Sequence, residues 1–97
     1  MDVKQWHTEK MYALPNFNPA FAKVLRSRRM EARLSQMKLA SAIGGSETYV
    51  RRMERGKQTP TATTLILLAR ALGMEPEEFF SEVMRQLAFL DSQREEH

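Results

Sequence analysis

The chain has 97 residues, 42% of them apolar and 28% charged, a balance typical of globular proteins that predicts one compact domain with short extensions. It contains no cysteine, which excludes disulfides, thiolate metal sites and thiol catalysis. It also lacks a signal-peptide pattern and any apolar run long enough to span a bilayer, so we expect a cytoplasmic protein without a membrane partner.

Charge is distributed unevenly along the chain. Residues 18–60 contain ten basic and three acidic side chains, whereas residues 61–97 contain three basic and seven acidic ones. A polyanion responds to this distribution more than to the formal net charge of +3. The basic block is therefore a candidate nucleic-acid face. Charge runs are also common on ordinary solvated helices, so the distribution alone leaves both interpretations open.

The first 17 residues lack helical periodicity and are predicted to form an N-terminal arm. Asn18 followed by Pro19 indicates the start of a helix, because Asn accepts a hydrogen bond from a free N–H of the first turn and Pro is tolerated at the first helical position. We expect this helix to end near Ala32. Its apolar face comprises Phe21, Val24 and Leu25.

Two short helices are predicted next, each bracketed by a hydroxyl cap and a glycine stop. One lies between Ser35 and Gly44, and the other between Ser46 and Gly56. Because the turn between them is so tight, the two helices have to cross steeply, and the small Ala40 allows the close approach that this crossing requires. The outer face of the second short helix is polar and is left free.

Several short motifs occur in order along this region and beyond it. They are Leu34-Ser35-Gln36, Leu39-Ala40, Glu54-Arg55-Gly56-Lys57 with Pro60 following, and Leu68-Ala69-x-Ala71-Leu72-Gly73. Residues 34–80 thus resemble the Xre-type, Cro and phage-repressor family of helix-turn-helix domains. The resemblance implies an all-α, five-helix, phage-repressor-like fold in which the second and third helices bind the major groove of double-stranded DNA.

The resemblance also implies roles for individual side chains. Those implied for base reading are Glu47, Thr48 and Arg52. Those implied for the DNA backbone are Gln36, which can also brace the reading residues, and Lys57, and the flanking Arg51 and Arg55 are further backbone candidates. Glu54 resembles a buried acid that forms a structural ion pair with an arginine of the first helix, here Arg29.

The chemistry of the three reading residues is compatible with these roles. The Arg52 guanidinium can donate two parallel hydrogen bonds to guanine O6 and N7. Glu47 can accept from a cytosine amino group or, as an acid in a first helical turn, only stabilise the helix dipole. Thr48 can contact a thymine methyl group or a phosphate. For Glu47 and Thr48 the two interpretations stay open.

The chain departs from the family pattern at three positions. Arg33 stands where the family usually has glycine, so we expect the end of the first helix to be displaced by up to a turn. Arg28 occupies a position that is often apolar. Leu67 occupies one that is often polar, which predicts an additional buried surface on the fourth helix.

The C-terminal part is predicted to form two further helices. Thr61 caps a fourth helix over residues 62–72, and Pro76 opens a fifth whose apolar stripe extends almost to Asp91. The candidate dimer interface comprises Leu67, Phe80, Val83, Met84, Leu87 and Leu90. The alternative is a long helix folded back on its own core. Dimerisation is favoured, because a five-helix domain already has a core and surplus apolar surface usually marks an interface.

The sequence therefore predicts an N-terminal arm over residues 1–17, a DNA-binding domain over residues 18–80 with its helix-turn-helix at 35–56, and an extended C-terminal helix over residues 81–97 that is a candidate for dimerisation. The expected function is that of a sequence-specific transcriptional regulator that binds a palindromic operator as a homodimer.

Two other functions remain open: an antitoxin-like autoregulator that also binds a protein partner, and a protein-only adaptor on the same fold. No enzyme, cofactor or metal site is expected. His7 and His97 lie at opposite ends of the chain without a carboxylate at ligand spacing, and no glycine-rich phosphate loop follows a strand.

Overall fold

The computed structural model describes residues 14–95, which form five α-helices and no strand. They are α1 (Phe17–Glu31), α2 (Gln36–Ile43), α3 (Glu47–Glu54), α4 (Ala62–Ala71) and α5 (Pro76–Glu95). The predicted all-α class and the number of helices are confirmed. Residues 1–13, most of the predicted arm, lie outside the described residues.

The start of α1 differs from the prediction. Asn16, not Asn18, is the N-cap residue, and its backbone oxygen accepts from the N–H of Ala20 at 3.0 Å. The Asn18 side chain instead accepts a hydrogen bond from the Thr59 hydroxyl at 2.9 Å. Pro19 still fits, because the first-turn position that it occupies has no intrahelical partner for an N–H.

The end of α1 is not displaced, because Arg33 itself adopts the left-handed conformation that glycine favours, with φ +58°. The turn is closed by hydrogen bonds from the N–H of Arg33 to the oxygen of Met30 and from the N–H of Leu34 to that of Arg29, at 3.0 and 3.2 Å. A residue with a Cβ atom holds this conformation at a cost of about 1–2 kcal/mol.

The predicted caps of the next three helices are confirmed. The side-chain oxygens of Ser35, Ser46 and Thr61 accept from the N–H three residues ahead, at 3.0, 3.1 and 3.1 Å. Each bond satisfies one of the donors that a helix N-terminus leaves free, which fixes where α2, α3 and α4 begin.

The core lies where α1 packs on α3 and α5, and where α4 packs on α2 and α5. Its largest fully buried side chains are Phe21, Leu25, Leu39, Val50, Met53, Leu68, Phe79 and Val83. The rings of Phe21 and Phe79 meet edge to face, with centroids 6.3 Å apart, so that α5 is anchored directly on α1. No helix within residues 14–95 is both long and apolar enough to cross a bilayer.

α5 is an integral part of the domain. It runs without a break across the predicted boundary between residues 80 and 81. Val83 and Leu87, which we expected at a dimer interface, are buried in the core of their own chain, because they lie on the face of α5 that packs inward. The folded-back alternative is therefore correct for these two residues. Phe80 and Met84 remain 44% and 42% exposed.

An ion pair also joins α5 to α1. The Nε of Arg28 donates to Glu82 Oε1 at 2.8 Å, and a second nitrogen of the guanidinium contacts Glu82 Oε2. This hydrogen-bonded cation lowers the pKa of Glu82 below its usual value, although burial opposes the shift. The ion pair explains the departure from the family pattern at this position. Where the family is often apolar, Arg28 binds a specific acid on α5.

Replacing Arg33 with Gly is expected to stabilise the protein by about 0.5–1 kcal/mol, because relief of the left-handed strain exceeds the extra chain entropy of glycine in the unfolded state. Thermal unfolding should show a melting temperature raised by about 2–8 °C. Arg33→Ala is the control: it removes the same charge but keeps a Cβ atom, and an equal rise in that variant would contradict the explanation.

Candidate nucleic-acid interface

The turn between α2 and α3 sets the angle between the two helices. Gly44 ends α2 with φ +70°, and the N–H of Gly45 donates to the oxygen of Ala40 at 2.9 Å. Ala40 is buried and α2 packs against α3, and a small side chain at this position is compatible with the close approach that the sequence predicts.

α3 has one buried and one open face. Val50 and Met53 are fully buried in the core. Thr48, Arg52 and Arg55 are exposed on the other side of the helix. The structure thus places two of the predicted base-reading residues and one predicted backbone residue on a single accessible surface, at the spacing that a helix requires for a shared face.

Glu47 and Arg51 are bound to each other in the free protein. Their Oε2 and Nη2 atoms lie 3.2 Å apart, one helical turn from each other, and both side chains are about 40% exposed. A solvent-exposed pair at this spacing contributes only about 0.3–0.5 kcal/mol, so it is easily exchanged for contacts with a ligand. Both residues are accessible, but neither is free before binding.

Beneath the open face, a buried ion pair connects α1 with α3. Arg29 donates through Nε and Nη2 to the two carboxylate oxygens of Glu54, the second bond being 2.9 Å, and through Nη1 to the backbone oxygen of Leu34 at 2.8 Å. The two side chains are only 13% and 4% exposed. The carboxylate raises the pKa of Arg29, so the guanidinium stays charged despite its burial.

Gln36 adds α2 to this network. Its Nε2 donates to Glu54 Oε1 at 3.0 Å, and its side chain is half-buried. The sequence predicts Gln36 against the DNA backbone and also as a brace for the reading residues. In the structure it contacts the residue at the end of α3, so the bracing geometry is present.

The loop after α3 turns sharply at Gly56, which has φ +72°. A Cβ atom there would lie 3.8 Å from the backbone of Asn18 and Pro19, an ordinary contact distance, so conformation and not space accounts for the glycine. The N–H of the next residue, Lys57, donates to the oxygen of Arg52 at 2.9 Å. This bond fixes the backbone of Lys57 beside the C-terminal end of α3, and the Lys57 side chain is exposed.

The contacts of two loop residues, Gln58 and Thr59, were not predicted from the sequence. The Thr59 hydroxyl ties the loop to Asn18 on α1, and Gln58 Oε1 lies 3.4 Å from Nε of Arg52. The first contact spans 41 residues of sequence, so no local pattern indicates it. The second joins residues six apart across a helix end, where helical spacing no longer applies.

Acidic side chains and histidines do not gather into a metal-binding group anywhere in the described part of the chain. The chemistry available at the open face of α3 is therefore that of guanidinium, hydroxyl, carboxylate and ammonium groups on a fixed helix. These groups are suited to hydrogen bonds with base edges and phosphates.

Replacing Glu54 with Gln is expected to lower the free energy of unfolding by on the order of 3 kcal/mol, because it leaves the mostly buried Arg29 guanidinium without its charged partner. Urea denaturation measures the loss. Glu31→Gln is the matched control: its pair with Arg28 is exposed, so the expected cost is below about 1 kcal/mol. Similar losses in the two variants would contradict the inference that the buried Arg29–Glu54 pair holds α3 in place.

Comparison with known proteins places this arrangement in a family. A family model described as "Helix-turn-helix domain" matches residues 20–79, well over half of the chain. An HTH-type transcriptional regulator of Sinorhizobium fredii, y4dJ, itself described as uncharacterized, is 40% identical over 50 residues. That match covers 52% of this chain and 65% of the relative's own length.

A solved structure shares the fold. The crystal structure of ClgR, the clp gene regulator of Corynebacterium glutamicum, superposes with a TM-score of 0.73 at 25% identity. The match covers 81% of this chain and 84% of that one. The family match over α1 to α4 and the start of α5, together with the open face of α3, leads to one conclusion: the chain belongs to the helix-turn-helix family of DNA-binding domains.

Proposed function

We propose that this protein is a transcriptional regulator that binds a palindromic operator in double-stranded DNA as a homodimer, with α3 in the major groove. The observation that carries the proposal is the open face of α3, whose orientation is held from below by the buried Arg29–Glu54 pair. A reading helix has to present its side chains at fixed positions, and this face does so before DNA arrives. The description of the S. fredii relative as a transcriptional regulator supports the same function.

Within this proposal, Arg52 reads guanine through a two-donor fork, while Thr48 and Glu47 contact neighbouring base edges. Residues around the rim of the face bind phosphates and set the position of the helix. These are Gln36, Arg51, Arg55 and Lys57.

The charge distribution supports this orientation. The ten basic residues of the segment 18–60 belong to α1, α2, α3 and their loops, whereas most acidic residues of the segment 61–97 belong to α5. A polyanion would attract the first group and repel the second, so α5 is expected to point away from the DNA.

The exposed apolar side chains of α4 and α5 support a second copy of the chain as the partner on the acidic side. Leu67, Phe80 and Met84 are exposed, and Ile66 and Phe80 line a shallow apolar groove between the two helices. Leu90, half-buried near the end of α5, remains at the edge of this proposed interface. A two-fold dimer uses one self-complementary patch, and it would present two α3 helices to the two half-sites of a symmetric operator.

Arg52→Ala and Lys57→Ala separate base reading from phosphate binding. With an operator selected from random DNA, Arg52→Ala should weaken binding by about 1–3 kcal/mol and relax the preference at one base position. Lys57→Ala should keep the preference and reduce the slope of log affinity against log salt by about one. Gel-shift titrations at several salt concentrations measure both quantities. If Arg52→Ala lowered affinity equally for all sequences, Arg52 would be a phosphate contact and not a reader.

The double variant Phe80→Asp with Met84→Asp is expected to be a folded monomer, because charge on the exposed apolar stripe opposes association while the core is untouched. Sedimentation equilibrium should show the monomer mass, and affinity for the full operator should fall towards that for a half-site. Phe89→Asp is the control, since Phe89 is an apolar side chain on α5 at least as exposed as the other two, at 52%, but outside the proposed interface. A dimer that persists in the double variant would place the interface elsewhere.

A further inference from the structure

The side chain of Arg52 has a partner in the protein. Its Nε donates a hydrogen bond to Oε1 of Gln58, in the loop between α3 and α4, at 3.4 Å. Among residues 14–95 the guanidinium makes no ion pair. The contact uses the single Nε–H, so the N–H groups of both terminal nitrogens, Nη1 and Nη2, are left available.

Gln58 is carried by a loop that is fixed at several points. On one side of it, the N–H of Lys57 donates to the oxygen of Arg52 at 2.9 Å. On the other side, the Thr59 hydroxyl binds Asn18 at 2.9 Å, and Pro60 is buried. The Gln58 side chain is itself half-buried. The loop therefore places Gln58 at a defined position relative to both α1 and α3.

We propose that Gln58 is a positioning residue for Arg52, and that its amide oxygen holds the guanidinium so that Nη1 and Nη2 form the fork for guanine O6 and N7. The inference rests on the base-reading role of Arg52 under the proposed function. Two geometries are open to an arginine that reads guanine, one through both terminal nitrogens and one through Nε and a terminal nitrogen. Occupation of Nε by Gln58 selects the first.

The physical benefit is pre-organisation. A free arginine side chain loses rotamer freedom when DNA orders it, which weakens binding by about 2- to 12-fold per side chain. An arginine already held by Gln58 has lost part of that freedom in the unbound protein. The gain applies only where the held orientation matches the base, so Gln58 is expected to raise guanine preference without raising general affinity for DNA.

The test uses the full chain and Gln58→Met, which keeps the length of the side chain and removes the acceptor. On the selected operator this variant should lose about 2- to 12-fold of the preference for guanine at the Arg52 position, with an unchanged salt slope. Gln58→Glu, which keeps the acceptor, should retain the preference even though its charge weakens binding to every sequence. Gln93→Met, on the exposed surface of α5, should change neither quantity.

The same substitution in an Arg52→Ala background decides whether Gln58 acts through Arg52. In that background Gln58→Met should have no further effect on base preference or affinity. A loss as large as in the unmodified chain would mean that Gln58 contacts DNA directly, and would overturn the proposal.

A measurement without DNA separates this proposal from the proposed function. Proton exchange at Arg52 Nε, followed by nitrogen-15 NMR, should be slower in the unmodified protein than in Gln58→Met. Equal exchange rates would refute the positioning contact, whatever the protein binds. Slow exchange combined with an Arg52→Ala variant that changes no base preference would instead refute the reading role of Arg52, and the positioning proposal would fall with it.

Discussion

Glu54 has only 4% of its side chain exposed, and the burial of a carboxylate to such a depth is costly unless donors replace the water it has lost. Arg29 supplies two of those donors from α1, and Gln36 supplies a third from α2. Glu54 itself lies at the end of α3, so the three helices share one arrangement that satisfies the carboxylate. A rotation of α3 about its axis would leave a buried charge unpaired, at a cost of several kcal/mol. The orientation of the open face of α3 therefore depends on a contact beneath that face.

α5 shows how one helix serves two surfaces. Val83 and Leu87 are one helical turn apart and pack inward, whereas Phe80 and Met84 are also one turn apart and face outward. The two pairs are centred about 60° apart around the helix, because they are offset by three residues at about 100° per residue. The inward pair completes the core and, with the Arg28–Glu82 ion pair, holds α5 against α1. The outward pair is left for association, so the proposed dimer surface does not compete with folding.

The parts of the fold that could be predicted from sequence are those set by neighbours a few residues apart. Ser35, Ser46 and Thr61 cap their helices because a hydroxyl just before an apolar-periodic segment has a free N–H within reach. The start of α1 was not predicted: the helix begins two residues before Pro19, and the Asn18 side chain accepts from the Thr59 hydroxyl, which is distant in sequence. The stripe from Phe80 to Leu90 combines two faces that a one-dimensional pattern cannot separate. For the site, the resemblance indicated the pairing of Arg29 with Glu54, but nothing local indicated Gln58.

The open face of α3 is already occupied by contacts within the chain before any ligand arrives. Glu47 offsets the charge of Arg51, and Gln58 accepts from Arg52. The first contact is exposed and weak, about 0.3–0.5 kcal/mol. In the proposed mode of binding, a phosphate would therefore draw Arg51 away at little cost and leave Glu47 without its cation, close to a polyanion.

Under the proposed mode of binding, that displacement makes Glu47 a discriminating group. A cytosine amino group at its position would restore a donor to the carboxylate. An acceptor atom or a phosphate would instead leave the charge unpaired and repel it, and such repulsion contributes to specificity as much as attraction does. In this mode Arg52 selects guanine because Gln58 holds its two terminal nitrogens in the orientation that guanine requires. Glu47 disfavours other groups because its carboxylate has lost the Arg51 cation. The two kinds of selection act on neighbouring turns of one helix, and both require α3 to be fixed by Glu54 from below.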